Sequence, residues 1–162
     1  MSQDEDSEFE GDEAGPPEAP WHLWVVGVLT LLFTLFGALD YVMSQSGNRA
    51  WMEAMVEPTG MDATVAVDYF SGFPLWADLV WAVGVWAGVG GAVLLLMRRA
   101  LAYPVLLLSL AGLVLSNAYG VANPLPGMTD SAATYITVGV VFTLMLAITL
   151  YARSMRNARV LT

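Results

Sequence analysis

Three polar side chains interrupt otherwise apolar stretches of this chain: Asp40, Asp78 and Asn117. Two carboxylates and an amide brought together could share a proton, hold a cation or hydrogen-bond a solute. Asp40 lies near the end of one apolar run, Asp78 just inside the next, and Asn117 near the end of the third. With a 1.5 Å rise per helical residue, all three fall at similar depth, roughly 5–8 Å below one boundary of those runs. Tyr41, Tyr119, Thr134, Tyr135 and Thr137 place hydroxyls at comparable levels, and Arg49 is the base in the adjoining loop. Together they form a candidate polar layer that only folding could assemble.

Ionisable residues inside membrane-length segments are by default functional, facing the interior and paired. Two plainer readings stand beside that one. Near an interface an Asp can reach the headgroups or sit favourably at a helix start, as Asp78 does in the first turn of its run. The group can also be a structural polar cluster, with Arg49 paired to an acid. The single histidine, His22, and the absence of cysteine leave no thiol relay, no disulfide and no bis-histidine haem in one subunit. No catalytic set, metal site or cofactor is read from the residues, and the expectation is a non-enzymatic protein. His22, beside Trp21, is expected to reach toward the headgroups.

The elements that must position these groups are four apolar runs, at about 21–43, 75–97, 101–121 and 132–152. About 20 mostly apolar residues suffice to cross a bilayer as a helix. The fold class expected is therefore an all-α membrane protein: an antiparallel four-helix transmembrane bundle with a short amphipathic helix in its outer loop. Charged residues make up 13% of the chain, against about 25% in ordinary soluble domains. Residues 1–20 carry eight of the fifteen acids and read as a disordered acidic tail, either solvating or docking a basic partner. The membrane domain spans 21–155, and 156–162 reads as a short basic tail. Nothing resembles a nucleic-acid footprint.

Arg98, Arg99, Arg153, Arg156 and Arg159 all fall on one side of the bundle, with Arg49 alone on the other. The positive-inside rule then puts both termini in the cytoplasm. Spans two and three join through 98–100, so they form a tight hairpin. The outer loop, 44–74, holds an amphipathic stretch at 48–57, with Trp51, Met52, Met55 and Val56 opposite Arg49, Glu53 and Glu57. Pro58 and Gly60 break it, and a second helical stretch follows at 61–69. Such a loop can be a lid over the bundle or a gate. Each span also carries small residues that permit close backbone approach: Gly27, Thr30, Thr34 and Gly37; Gly84, Gly88 and Ala92; Gly112, Ser116 and Gly120; Gly139, Thr143 and Ala147.

Trp21-His-Leu-Trp24 opening span one, Phe73-Pro-Leu-Trp76 opening span two, the Gly84–Gly91 stretch running into Leu94-Leu-Leu-Met-Arg-Arg99, and Pro104 with Ser109-Leu110 resemble a family of small four-span bacterial inner-membrane proteins. Members are uncharacterised and often automatically named "sugar transporter". A looser likeness to DoxX-type four-helix proteins rests on size and span count. The resemblance brings no binding residues with it. It implies a bacterial inner (plasma) membrane location and small-solute, sugar-like transport by an oligomer. The alternative is an accessory or quinone-associated subunit of a membrane redox complex. The expected partners are the lipid bilayer and either a second copy or a membrane partner protein. The chain's lack of cysteine suits a topology test: single cysteines introduced at positions 46 and 127 are expected to react with impermeant reagents from outside, and labelling only from the cytoplasm would invert the orientation.

Overall fold

The computed structural model describes residues 19–57, 61–127 and 132–162, with side chains of the last segment from 135 onward. The acidic tail, Pro58, Gly60, residues 128–131 and the Thr134 side chain lie outside the described residues. Six helices follow in order: α1 (Trp21–Gln45), α2 (Arg49–Val56), α3 (Ala63–Ser71), α4 (Leu75–Leu96), α5 (Ala102–Ala122) and α6 (Ala132–Asn157). Four of them, α1, α4, α5 and α6, are long and apolar enough to cross a membrane. Their outward surfaces agree, since side chains such as Phe36 (64% exposed) and Leu75 (74%) could not be left in water in such numbers. The protein is a multi-pass membrane protein built on a four-helix bundle.

Helix starts and stops are legible residue by residue. Pro20 and Pro74 precede α1 and α4 in extended conformation, and each supplies a carbonyl to the first turn. Gly47 turns the chain out of α1 at a φ of 63°, a left-handed position that glycine adopts without Cβ strain. Asn48 and Asp62 then cap α2 and α3, accepting from the backbone N–H of Trp51 and Thr64. That bond holds the Asp62 carboxyl below its usual range. The outer loop thus contains two helices. α2 buries Met52 and Val56 against Ala63 and Ala66 of α3, while Glu53 and Glu57 stay exposed.

Close backbone contact between α4 and α5 forms the spine. A Cβ on Gly112 would lie 2.5 Å from the Gly84 Cα, and one on Gly84 would lie 3.1 Å from the Gly112 carbonyl carbon. The Ser109 hydroxyl crosses the same seam to donate to the Gly84 carbonyl at 2.6 Å. Gly91 makes room for Leu106 further along. α1 joins the opposite flank of α4, where Gly88 faces Thr34 and Gly27 faces Leu96. α6 packs on α5 through a different face from the expected one: Met145, Thr149 and Ala152 are buried, whereas Thr143 and Ala147 are exposed and Gly139 meets nothing within 4 Å. Gly37 and Gly120 also face open space.

Around the bundle, α1 packs on α4, α4 on α5 and α5 on α6. The fourth side, between α6 and α1, is joined near the arginine end. There the His22 Nδ1 hydrogen-bonds the Tyr151 hydroxyl at 2.6 Å, and Leu23 and Ala152 belong to one buried cluster. His22 is therefore an interhelical tie, where a reach toward headgroups was expected. The segment expected as a free basic tail also folds back. α6 runs to Asn157, Arg159 turns the chain at a φ of 56°, and Val160 and Leu161 are buried. The Thr162 N–H donates to the Arg98 carbonyl at 2.7 Å, and the Ala100 N–H donates to the Thr162 carbonyl at 2.9 Å, strapping the α4–α5 turn.

The spine makes a stability prediction. Adding even one methyl at Gly112 forces backbone apart, and overpacking costs about 1–3 kcal/mol. Gly112→Ala is expected to lower the unfolding temperature in detergent clearly, while Gly120→Ala and Gly139→Ala leave it nearly unchanged. Equal effects at all three positions would mean the α4–α5 contact is not the seam.

Candidate functional site

The candidate polar residues do not come together in one place. Asp40 of α1 accepts a hydrogen bond from the Trp51 indole N–H of α2 at 3.0 Å, which draws the short helix over the bundle. Phe36 lies beside the same indole, with ring centroids 6.2 Å apart. Asp78 instead receives the Gln45 side-chain amide at 2.9 Å at the surface, linking the end of α1 to the start of α4. Asn117 spends its amide on the Leu113 carbonyl of its own helix. Arg49 pairs with Glu53 one turn along α2 at 3.1 Å, both exposed, and so joins neither Asp40 nor Asp78. Exposed i,i+4 pairs of this kind contribute little stability.

Tyr41 and Tyr119 belong to an aromatic cluster rather than to a polar one. Tyr41 meets Trp81 edge-on at 5.0 Å, and Tyr119 meets Phe73 and Trp76 edge-on at 5.1 and 5.2 Å. Tyr69 and Phe70 of α3 extend the cluster. The Tyr69 hydroxyl donates to the Asn123 carbonyl, fixing α3 against the end of α5, and burial pushes its phenol up, which keeps the donor proton in place. Tyr135 is exposed.

Two cavities occupy the loop end. The larger, about 600 Å³, lies between α1 and α6, the side of the ring that remains open away from the arginine end. Phe33, Phe36, Gly37 and Asp40 line it from α1, and Val141 and Met145 line it from α6. Gly84, Gly88 and Leu113 form its floor on the spine, and Trp51 and Met55 of α2 roof it. Of its four wall hydroxyls, Thr34, Ser109 and Ser116 donate to helix carbonyls, and Thr137 of α6 is the fourth. Asp40 is the one ionisable group among the described lining residues. The smaller cavity, about 470 Å³, is lined by Tyr69, Phe70 and Phe73, by Asn117 and Gly120, and by Tyr135 and Val138. Met55, Trp81 and Ser116 border both, so they form the partition.

Sequence reasoning reached Asp40 but missed its partner. Trp51 was legible as part of an apolar helix face, and the turn at Gly47 swings it back to meet Asp40, eleven residues before it in the chain. Trp81 stands between the cavities. Among the described residues, no three His, Asp or Glu side chains come together in a way that could hold a metal. No family model matches the chain, and neither curated proteins nor solved structures show a significant similarity to it.

The Asp40–Trp51 bond predicts how the roof is held. A hydrogen bond to a charged acceptor contributes about 1.5–3 kcal/mol. Trp51→Phe is expected to speed hydrogen exchange of the α2 amides about ten- to a hundredfold while α4 and α5 remain protected. Unchanged exchange in α2 would show that other contacts hold the roof.

Proposed function

We propose that this membrane protein is a non-enzymatic binder of a small hydrophobic molecule taken from the bilayer, held between α1 and α6. The observation that carries this reading is the larger cavity itself. Ligand sites typically run about 300–1,000 Å³, mostly apolar with a few placed polar groups. A volume of about 600 Å³ with aromatic and aliphatic walls fits that description. Its position on the open side of the ring gives a route from the lipid that needs no central pore.

The same lining argues against a sugar. A sugar must exchange many water hydrogen bonds for protein ones, and unpaired polar groups in an apolar site are costly. Here three of the four wall hydroxyls are already donating to backbone carbonyls, and only that of Thr137 is left to a solute. Passage of a hydrophobic solute by an oligomer and service as an accessory subunit to a membrane redox partner would both use this cavity. Binding is the step common to them. In either setting the loop helices α2 and α3 would face outward, with both termini in the cytoplasm.

Gly37→Leu provides the test, because a side chain at Gly37 would enter open space instead of clashing. In nanodiscs, wild type is expected to take up a hydrophobic fluorescent probe with quenching of tryptophan emission, and the variant to lose at least tenfold in affinity at unchanged thermal stability. Equal binding by the two proteins would remove the cavity as the site.

A further inference from the structure

The chemistry of the larger cavity goes further than apolar binding. Asp40 brings one carboxylate to a wall that otherwise offers rings, methyl groups, three committed hydroxyls and that of Thr137. Burying an unpaired charge in such surroundings is expensive, so a carboxyl there calls for a proton, a cation or several donors. One donor is present, the Trp51 indole N–H, and it reaches Oδ1. An ionised carboxylate offers about four acceptor sites over its two oxygens, so a single indole leaves most of that capacity unused. Among the described residues no basic side chain supplies the remainder: Arg49, the base at this end, is held by Glu53 on the exposed face of α2.

Two further features select the sign of the missing partner. Trp51 and Trp81 both line the cavity, and indole faces attract cations through the ring quadrupole, most strongly where water is excluded. The loop end is also acidic as a whole, with Glu53, Glu57, Asp62, Asp68 and Asp78 beside Asp40 against the lone Arg49. Such a field concentrates cations and repels anions. An anionic lipid or a fatty acid would meet the wrong charge, and a small inorganic cation would leave the apolar volume unfilled.

We propose that the ligand is a hydrophobic organic cation, with its charge beside Asp40 and the two indoles and its apolar body between α1 and α6. This assignment rests on the cavity reading above and deepens it by naming the ligand's charge. Asp40 is a binding residue in this scheme and Trp51 its positioning partner.

Two probes of similar shape and different charge separate the possibilities: methyltriphenylphosphonium and triphenylphosphine oxide. Binding is measured by calorimetry to protein in zwitterionic nanodiscs, with empty nanodiscs subtracted. Wild type is expected to bind the cation at least tenfold more tightly than the neutral oxide. Asp40→Asn keeps an acceptor for Trp51 and removes the charge, so it is expected to reduce cation affinity to that of the oxide while leaving oxide binding intact. Asp78→Asn removes one charge of the surrounding field outside the cavity and is expected to lower cation affinity less than twofold and to leave oxide binding intact. Cation affinity within twofold of wild type in Asp40→Asn overturns the proposal, as does failure of wild type to bind or prefer the cation. Loss of both compounds in Asp40→Asn also overturns it, because Asp40 would then act through the roof alone. Gly37→Leu keeps the two levels apart: if it abolishes both compounds while Asp40→Asn affects neither, the cavity stands and the charge assignment falls; if it affects neither, the cavity reading itself fails.

Discussion

Backbone contact between Gly84 and Gly112 is the constraint on which the rest of the bundle depends. Between helices in lipid there is no hydrophobic drive, because a lipid tail covers an apolar side chain as well as another helix does. Association then requires what lipid cannot offer, namely very close approach and interhelical hydrogen bonds. The α4–α5 seam has both, in the two glycines and in the Ser109 hydroxyl on the Gly84 carbonyl. α1 uses the same means on the other flank of α4, through Gly27 and through Gly88 against Thr34. α6 has no comparable glycine contact. It is held through side chains, with Met145 and Ala152 among those buried.

That difference explains why one side of the ring stays open. In water, a gap between two apolar helices would close to remove its surface from solvent. In a bilayer the gap can fill with lipid at little cost, so closure needs a specific reason. The arginine end supplies reasons: the His22–Tyr151 bond, the buried Val160 and Leu161, and the Thr162 backbone bridging Arg98 and Ala100. The Tyr103 ring under the Arg156 guanidinium, 5.6 Å from its centroid, adds a contact between α5 and α6 there. At the loop end, the space between α1 and α6 is roofed by α2 alone, and α3 is pinned by rings around Trp81. One end of the molecule is tied on every side, and the other is arranged around volume.

Much of this frame was legible in the residues. Four spans, the tight α4–α5 turn and the amphipathic face of α2 all follow from hydropathy, spacing and breakers, which are local properties. The distance of Asp40, Asp78 and Asn117 from the ends of their helices follows from a constant rise per residue. Their direction around each helix does not. A given depth places a residue on a circle, and only the packing of neighbours says which part of the circle it occupies. Asn117 points to the smaller cavity, Asp78 to Gln45 and Asp40 to Trp51. The glycines show the same limit: Gly88 packs and Gly37 lines a space, although both belong to equally regular stripes. The return of residues 160–162 was hidden for another reason, since backbone bonds to a distant turn leave no trace in composition.

The balance at Asp40 finally turns on Arg49, a residue that never touches it. Had that guanidinium reached the carboxylate, the cavity would hold a neutralised pair, and its one distinguishing group would be spent. Glu53 sits four residues along α2 and takes the arginine on the exposed face. That surface pair is worth little as a source of stability, because both partners are wet. Its consequence lies in where the charges end up. The same helix turns Trp51 inward to hold Asp40 and Arg49 outward to meet Glu53, which are roughly opposite directions on a 3.6-residue repeat. An indole can orient a carboxylate without neutralising it. The roof therefore fixes the position of Asp40 and leaves its charge to whatever enters beneath.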